Sequence, residues 1–227
     1  MHQTTDVFGV RSRLIKTYLE REAVDKRFKE ALQSGNEVIV YGSSKQGKTS
    51  LILKHLSEDQ YVKVECSPNT QPVDIYKSIL RQIGVTFIES ETTDSGYEHG
   101  AKVGGSFRVK IPFLGDTKAS VEAQDKASGK SSVRQSHVEY NLALAQDVSE
   151  VLHSNGFRKY IVLENFHYLS NEVQQSLAYD LRIFQDHHLV FVVLGIWREA
   201  NRLVQFNGDL LDRVTESVWG QIKNSSH

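Results

Sequence analysis

The chain holds a single cysteine in 227 residues, no excess of either charge and no long hydrophobic run. One thiol, Cys66, cannot close an internal disulfide, so the fold has to rest on a packed core rather than on a covalent framework. Its neighbours Tyr61-Val62-Lys63-Val64-Glu65 read as a strand, which makes Cys66 a core or strand-end thiol rather than a reactive one. The 27 Lys and Arg against 28 Asp and Glu leave a net charge of −1. That balance supplies no overall field toward nucleic acid or a membrane surface. No apolar stretch approaches the ~18 residues of a membrane-spanning helix, and the start, Met1-His2-Gln3-Thr4-Thr5-Asp6, lacks a secretory pattern. The expectation is a soluble protein of the reducing cytoplasm with no membrane partner. The length suits one α/β domain with a real core and is short for two, so residues 1–227 are read as one domain.

What is present is concentrated in Gly42-Ser43-Ser44-Lys45-Gln46-Gly47-Lys48-Thr49, a full match to the phosphate-binding pattern G-x-x-x-x-G-K-[ST]. The pattern carries meaning only between a strand and a helix, because its chemistry is that of the backbone. Glu37-Val38-Ile39-Val40-Tyr41 is a β-branched run ending at Gly42, and Ser50 to Leu56 has helical spacing, with Leu53 and Leu56 on one side. Between such elements the glycines let successive N–H groups point at phosphate oxygens, and the helix N-terminus adds partial positive charge. Gly42, Ser43, Ser44, Lys45, Gln46, Gly47, Lys48, Thr49 and Ser50 are the expected binding loop. Lys48 would meet the β- and γ-phosphates and the Thr49 hydroxyl would ligate Mg²⁺. The ligands expected from the loop are therefore a nucleoside triphosphate and Mg²⁺.

Around this loop, strands and helices alternate. Ser12 to Leu32 reads as a helix, and Tyr61 to Cys66 as a second strand. Pro72 to Ile83 is a helix ended by Gly84, and Val138 to Leu152 another, closed by Asn155-Gly156. Tyr160-Ile161-Val162-Leu163 and Leu189 to Leu194 are continuous apolar runs of the kind buried parallel strands show, separated by a helix from Asn171 to about Asp186. Val214 to Trp219 reads as the last core strand. The fold expected is a three-layer α/β/α sandwich with a mainly parallel five-stranded sheet. A stretch of different texture, about 89–136, interrupts it. It is rich in Gly, Ser, Thr and Lys, with Ser106 to Ile111 alternating as a half-buried strand and Thr117 to Ala123 more weakly. It reads as a β-hairpin-like insertion, and the sparse apolar content of Gly100–Arg134 would let that part be shortened without loss of nucleotide binding.

A phosphate loop alone does not say whether the nucleotide is hydrolysed, transferred or sensed. The deciding element is an acid at the end of another buried strand, placed to hold Mg²⁺ opposite Thr49. Glu164, directly after Leu163, is that acid.

With Glu164 in place, the chain from Tyr18 to Trp219 resembles the AAA+/STAND branch of P-loop ATPases. The likeness rests on stretches in order: Tyr18-Leu19-Glu20-Arg21-Glu22 as an opening beside adenine, Gly42 to Thr49 as Walker A, and Tyr160 to Asn165 as Walker B. Gly195-Ile196-Trp197-Arg198 follows at the end of a sensor 1 strand, and Asp209-Leu210-Leu211-Asp212-Arg213-Val214 resembles the segment bearing an arginine finger. ATP-binding modules of prokaryotic signalling and phage-defence proteins are similar to it. The resemblance implies that Arg213 supplies charge to a neighbouring subunit's nucleotide, or Arg198 to its own, and hence a homo-oligomer held by nucleotide-dependent contacts. Three departures stand out. Glu20 replaces the opening glycine. The Walker B pair is Glu164-Asn165 rather than Asp-Glu, and an amide orients water but cannot take its proton. That leaves slow hydrolysis, or a base from His167 or Glu164. Finally, the small helical lid that usually follows is missing after Val214 to Trp219, which leaves three expectations: a fragment of a longer protein, a dispensable lid, or a partner protein that supplies the lid or effector.

Three functions follow: a nucleotide-dependent switch that hydrolyses ATP slowly, a DNA-engaging ATPase, and a small-molecule kinase. Between Gly100 and Arg134 seven basic residues face three acidic ones, net +4, which favours DNA a little. Only Phe107 and Phe113 offer stacking there, and nothing resembles an acceptor lid. The switch is the leading expectation.

Overall fold

The computed structural model describes residues 21–43, 47–86, 88–89, 108–112, 137–196 and 202–218. In chain order these form α1 (Glu22–Ser34), β1 (Glu37–Tyr41), α2 (Lys48–His55), β2 (Tyr61–Glu65), α3 (Pro72–Gln82), β3 (Ile88–Glu89), β4 (Arg108–Pro112) and β5 (His137–Asn141). They continue with α4 (Ala145–Ser154), β6 (Tyr160–Glu164), α5 (Asn171–Asp186), β7 (Phe191–Gly195), α6 (Arg202–Phe206) and β8 (Val214–Val218).

Five strands make one parallel sheet in the order β2-β6-β7-β1-β8. Side chains alternate between its two faces, and the sequence fills both with apolar residues. Ile39, Ile161, Leu163 and Val193 face a core built with α3, α4 and α5. Val38, Val40, Val162, Val192 and Leu194 face the opposite core, which holds Phe28 and Ala31 of α1 with Leu51, Ile52 and Leu56 of the α2 segment. The result is the expected α/β/α sandwich, and it explains why the central strands read as unbroken apolar runs. On α2 the inward pair is Leu51 and Ile52, whereas Leu53, read as inward from spacing, is only half-buried. A polar tie crosses the second layer: the His55 ring is hydrogen-bonded to Asp25, whose other oxygen accepts the Arg21 backbone N–H at 2.9 Å.

Local signals set several ends. Pro72 opens α3, with the Asp74 carboxylate accepting the Gln71 N–H at 2.9 Å. Gly84, at φ 79°, closes it in the left-handed region. The Ser170 hydroxyl accepts the Val173 N–H at the start of α5, which runs Asn171–Asp186 as the spacing predicted. The thiol of Cys66 is buried, and burial pushes its pKa up to about 12, so it stays protonated and inert. No helix among the described residues is long and apolar enough to cross a membrane.

Two expectations need correction. The helix read from Val138 begins at Ala145; His137–Asn141 is instead β5, antiparallel to β4, with Val109 opposite Tyr140 and Ile111 opposite Val138. Periodicity misled here because Leu142, Ala145 and Val148 are all buried, so strand end and helix share one apolar contact face. The interrupting segment is therefore part of a three-stranded antiparallel sheet, β3-β4-β5. Nor is it a free appendage: Val109 and Ile111 are buried in the larger core. Thr117 to Ala123 lies outside the described residues.

Two predictions follow from this packing. Ile111→Ala leaves a cavity in the core, and we expect it to lower stability by about 2 kcal/mol or more; an unchanged urea midpoint would return β4 to the status of a dispensable arm. The second concerns Glu37, fully buried at the start of β1, where Oε2 accepts the Phe191 N–H at 2.5 Å and Oε1 has no partner among the described residues. Burial raises its pKa well above the carboxylate range, against the opposing pull of the Phe191 N–H. A raised folded-state pKa gives stability that is full below the unfolded value of about 4.3 and lost as pH rises through the folded value. Chemical denaturation between about pH 4 and about pH 8 should show the wild type falling relative to Glu37→Gln, which carries no proton to lose. A difference independent of pH would mean that Glu37 keeps its ordinary affinity for protons.

Candidate functional site

The C-terminal ends of the sheet strands lie on one line. Tyr41 is opposite Gly195 on one side and Val218 on the other, and Glu65 is opposite Glu164. In a parallel sheet this edge is where loops leave for the crossover helices, and where ligands are bound. β1 delivers its chain here into Gly42, and α2 starts six residues later at Lys48. Gly42 at φ 154° and Gly47 at φ 84° hold backbone conformations that side chains resist, which is why the motif needs glycine at both places. Gly47 is the residue before α2, and its carbonyl accepts the Leu51 N–H at 3.0 Å, so the first amides of the helix face the loop. Ser44, Lys45 and Gln46 lie outside the described residues.

Lys48 is half-buried and folds over its own loop, its ammonium donating to the carbonyls of Gly42 at 3.0 Å and Ser43 at 2.8 Å. Burial lowers its pKa. The adjacent Thr49 points across to β6: its hydroxyl donates to Glu164 Oε1 at 3.0 Å. These two residues are 115 apart in sequence and were paired on mechanism alone, so their hydrogen bond is the central observation at this site. A hydroxyl and a carboxylate are the hard oxygen donors that Mg²⁺ takes when phosphates and waters complete its shell. The residues present fit the metal. Ser50 follows in the first turn of α2.

The other oxygen of Glu164 is also held. Lys63, on the neighbouring β2, lies 3.3 Å from Glu164 Oε2 and 2.9 Å from Glu65 Oε1. Burial works to lower the lysine pKa, but the Glu65 hydrogen bond and the Glu164 charge outweigh it and hold Lys63 above its ordinary value. Sequence reading missed this lysine. It sits in an alternating strand like any solvated residue, and nothing local says that Glu164 will be its neighbour.

Asn165 adopts φ 58° and ψ 31°, the left-handed region, and its carbonyl accepts the Tyr168 N–H at 2.9 Å to start a short 3-10 turn over Phe166–Tyr168. Asparagine tolerates this conformation better than almost any other side chain. Its presence directly after Glu164 thus has a conformational reason. His167, in the same turn, is half-buried, with its ring 4.2 Å from that of Tyr168 and Nδ1 without a partner among the described residues. Burial, and then the positive charge of Lys48, lowers its pKa, so it is a neutral ring close to the loop.

Arg213 stands at the opposite edge of the sheet. Its carbonyl accepts the Glu37 N–H at 3.1 Å at the beginning of β1, about 17 Å of strand away from Gly42. Its guanidinium is paired with Asp186 at 2.5 Å, and Arg182 pairs with Asp209 at 2.6 Å, so α5 grips the segment before β8 twice. Arg213 cannot reach the nucleotide loop of its own chain. Arg198, Trp197 and the opening stretch Tyr18 to Glu20 lie outside the described residues, as do five of the seven basic residues of the interrupting segment, leaving Arg108 and Lys110 on β4.

A family model described as an AAA domain matches residues 32–204, more than half of the chain. The chain belongs to the AAA domain family. It is thus a P-loop ATPase by family, a class of nucleotide-binding proteins that use ATP and typically Mg²⁺. Among curated proteins no match was found. The match begins inside α1 and ends inside α6, so it takes in the loop, Glu164 and the five strands save β8.

For an AAA domain with this loop, Lys48→Ala should weaken binding of a fluorescent ATP analogue roughly 10- to 100-fold, the loss of a charged hydrogen-bond donor to phosphate. Melting should be unchanged, since among the described residues Lys48 bonds to its own loop alone. Wild-type affinity in the folded variant would remove Lys48 from the site.

Proposed function

We propose that this AAA domain, taken as one domain over 1–227, is a Mg²⁺-dependent ATP-binding switch that hydrolyses ATP slowly and assembles with copies of itself when ATP is bound. The observation that carries the reading is the Thr49–Glu164 hydrogen bond at the C-terminal edge of the sheet. It brings the two expected metal-side oxygens together beside Lys48. In this reading the loop amides of 42–50 and Lys48 hold the triphosphate, and Thr49 and Glu164 hold the metal. Mg²⁺, when bound, neutralises charge on the phosphate oxygens.

Slow turnover follows from position 165. Asn165 presents an amide where the second Walker B acid would stand, so it can orient water without taking its proton. The neutral His167 or Glu164 is left to do that. Assembly follows from Arg213: too far from its own loop, it acts only on a neighbour's nucleotide, and its exposed pairing with Asp186 is the kind of contact a phosphate can replace. Arg198 is the alternative donor within one subunit. The setting proposed is that of prokaryotic signalling or anti-phage defence, on the order of the motifs, with a partner protein supplying the effector or lid.

The left-handed backbone at 165 decides the test. Asn165→Glu would add strain, whereas Asn165→Asp keeps a residue tolerated there and installs an acid. Phosphate release by Asn165→Asp should exceed the wild-type rate by roughly tenfold or more, within the range a positioned general base contributes. Light scattering should show the wild-type mass rising with a slowly hydrolysed ATP analogue. A monomer at all nucleotide concentrations would end the assembly reading, and an unimproved Asn165→Asp would locate the base elsewhere.

A further inference from the structure

We propose that Lys63 is a positioning residue for the metal-side acid: it fixes the Glu164 carboxylate so that Oε1 faces Thr49. The inference deepens the reading of this site as a Mg²⁺·ATP site and rests on it.

The geometry divides the work of the carboxylate. Oε1 of Glu164 accepts from Thr49 at 3.0 Å, and Oε2 is 3.3 Å from the Lys63 ammonium. Neither partner competes for the other's oxygen. β2 and β6 run parallel with Lys63 opposite Val162 and Glu65 opposite Glu164. Lys63, Glu65 and Glu164 therefore share a face, and a lysine side chain spans the diagonal to Glu164. Without Lys63, the carboxylates of Glu65 and Glu164 would stand side by side on adjacent strands, repelling each other, and Glu164 would keep the Thr49 hydroxyl on Oε1 but nothing on Oε2 to balance that repulsion.

Lys63 is itself anchored. β2 is an edge strand, and its outward backbone groups need partners. The Gln82 side chain at the end of α3 supplies both: its Oε1 accepts the Lys63 N–H at 3.2 Å and its Nε2 donates to the Lys63 carbonyl at 2.9 Å. The Lys63 side chain is 35% exposed and that of Glu164 only 13%, so this ion pair is shielded more than an ordinary surface pair. A metal ligand whose outer atoms are held in this way loses fewer conformations on binding, and removing such a partner typically costs 10- to 100-fold in metal affinity.

The test uses the full chain and a Mg²⁺ titration of fluorescent ATP-analogue binding, with melting as a check on the fold. Lys63→Met should raise the Mg²⁺ concentration for half-maximal binding about tenfold or more, with nucleotide affinity in excess chelator unchanged. Lys63→Arg should restore most of the loss, because a guanidinium can still reach Oε2. An unaltered Mg²⁺ requirement in Lys63→Met would reduce Lys63 to a surface ion pair, and a lower one would make it a competitor of the metal; either overturns the proposal. Should Lys63→Met fail to fold, Lys63→Gln takes its place under the same criteria. Failure of the underlying reading looks different, since it appears in the wild type as ATP binding that is absent or indifferent to Mg²⁺.

Discussion

The site depends on a constraint of register. β1, β6 and β7 are apolar on both faces and buried between helical layers, and their pairing sets Tyr41 opposite Gly195, Leu163 opposite Val193 and Glu164 opposite Glu65. That locks the carboxyl ends of the strands onto a common line, and the loop after Tyr41 and the acid at the end of β6 meet there. The Thr49–Glu164 contact follows from strand pairing far more than from either residue's local sequence. A register slip of one residue on β6 would turn Glu164 to the other face of the sheet.

Charge at this edge is arranged around one carboxylate. Lys48 lies along its own loop, Thr49 and Lys63 divide the two oxygens of Glu164, and Glu65 shares the Lys63 ammonium. The arrangement is economical in acids: among the described residues no group of three or more His, Cys, Asp or Glu could hold a metal by itself. A Mg²⁺ ion at Thr49 and Glu164 would thus need the phosphates to complete its shell, which ties metal affinity to nucleotide. Asn165 completes the picture from the backbone side. Its left-handed conformation starts the 3-10 turn that seats Phe166 in the core, so fold and chemistry meet at one residue.

Much of this was legible from the chain alone. The match from Gly42 to Thr49 between a β-branched run and a helical one identified the loop, and an acid after Tyr160–Leu163 identified Glu164, because both signals are local. The helix read from Asn171 to about Asp186 is α5, Asn171–Asp186. The failures are equally instructive. Val138–Asn141 reads as the start of a helix because its apolar residues suit either period over a short window, and only the pairing with β4 decides between them. Val109 and Ile111 looked like part of a polar appendage because composition averages over a segment, whereas burial belongs to single residues.

By itself the sequence determined the chemistry available: a glycine-rich loop with the phosphate-binding pattern, an acid followed by an amide at the end of a buried strand, and strands apolar enough to form a buried parallel sheet. Each is carried by residues within a few positions of one another, where backbone geometry and side-chain type act directly. The tertiary structure decided the company those residues keep. Lys63 and Glu164 are 101 residues apart, and no local rule pairs them. Arg213 was set at the far edge from its own loop by the direction of β8, and β4 was drawn into the core by its contact with β5. Such neighbours are chosen by the packing of apolar faces over the whole chain, a balance that no window of sequence contains.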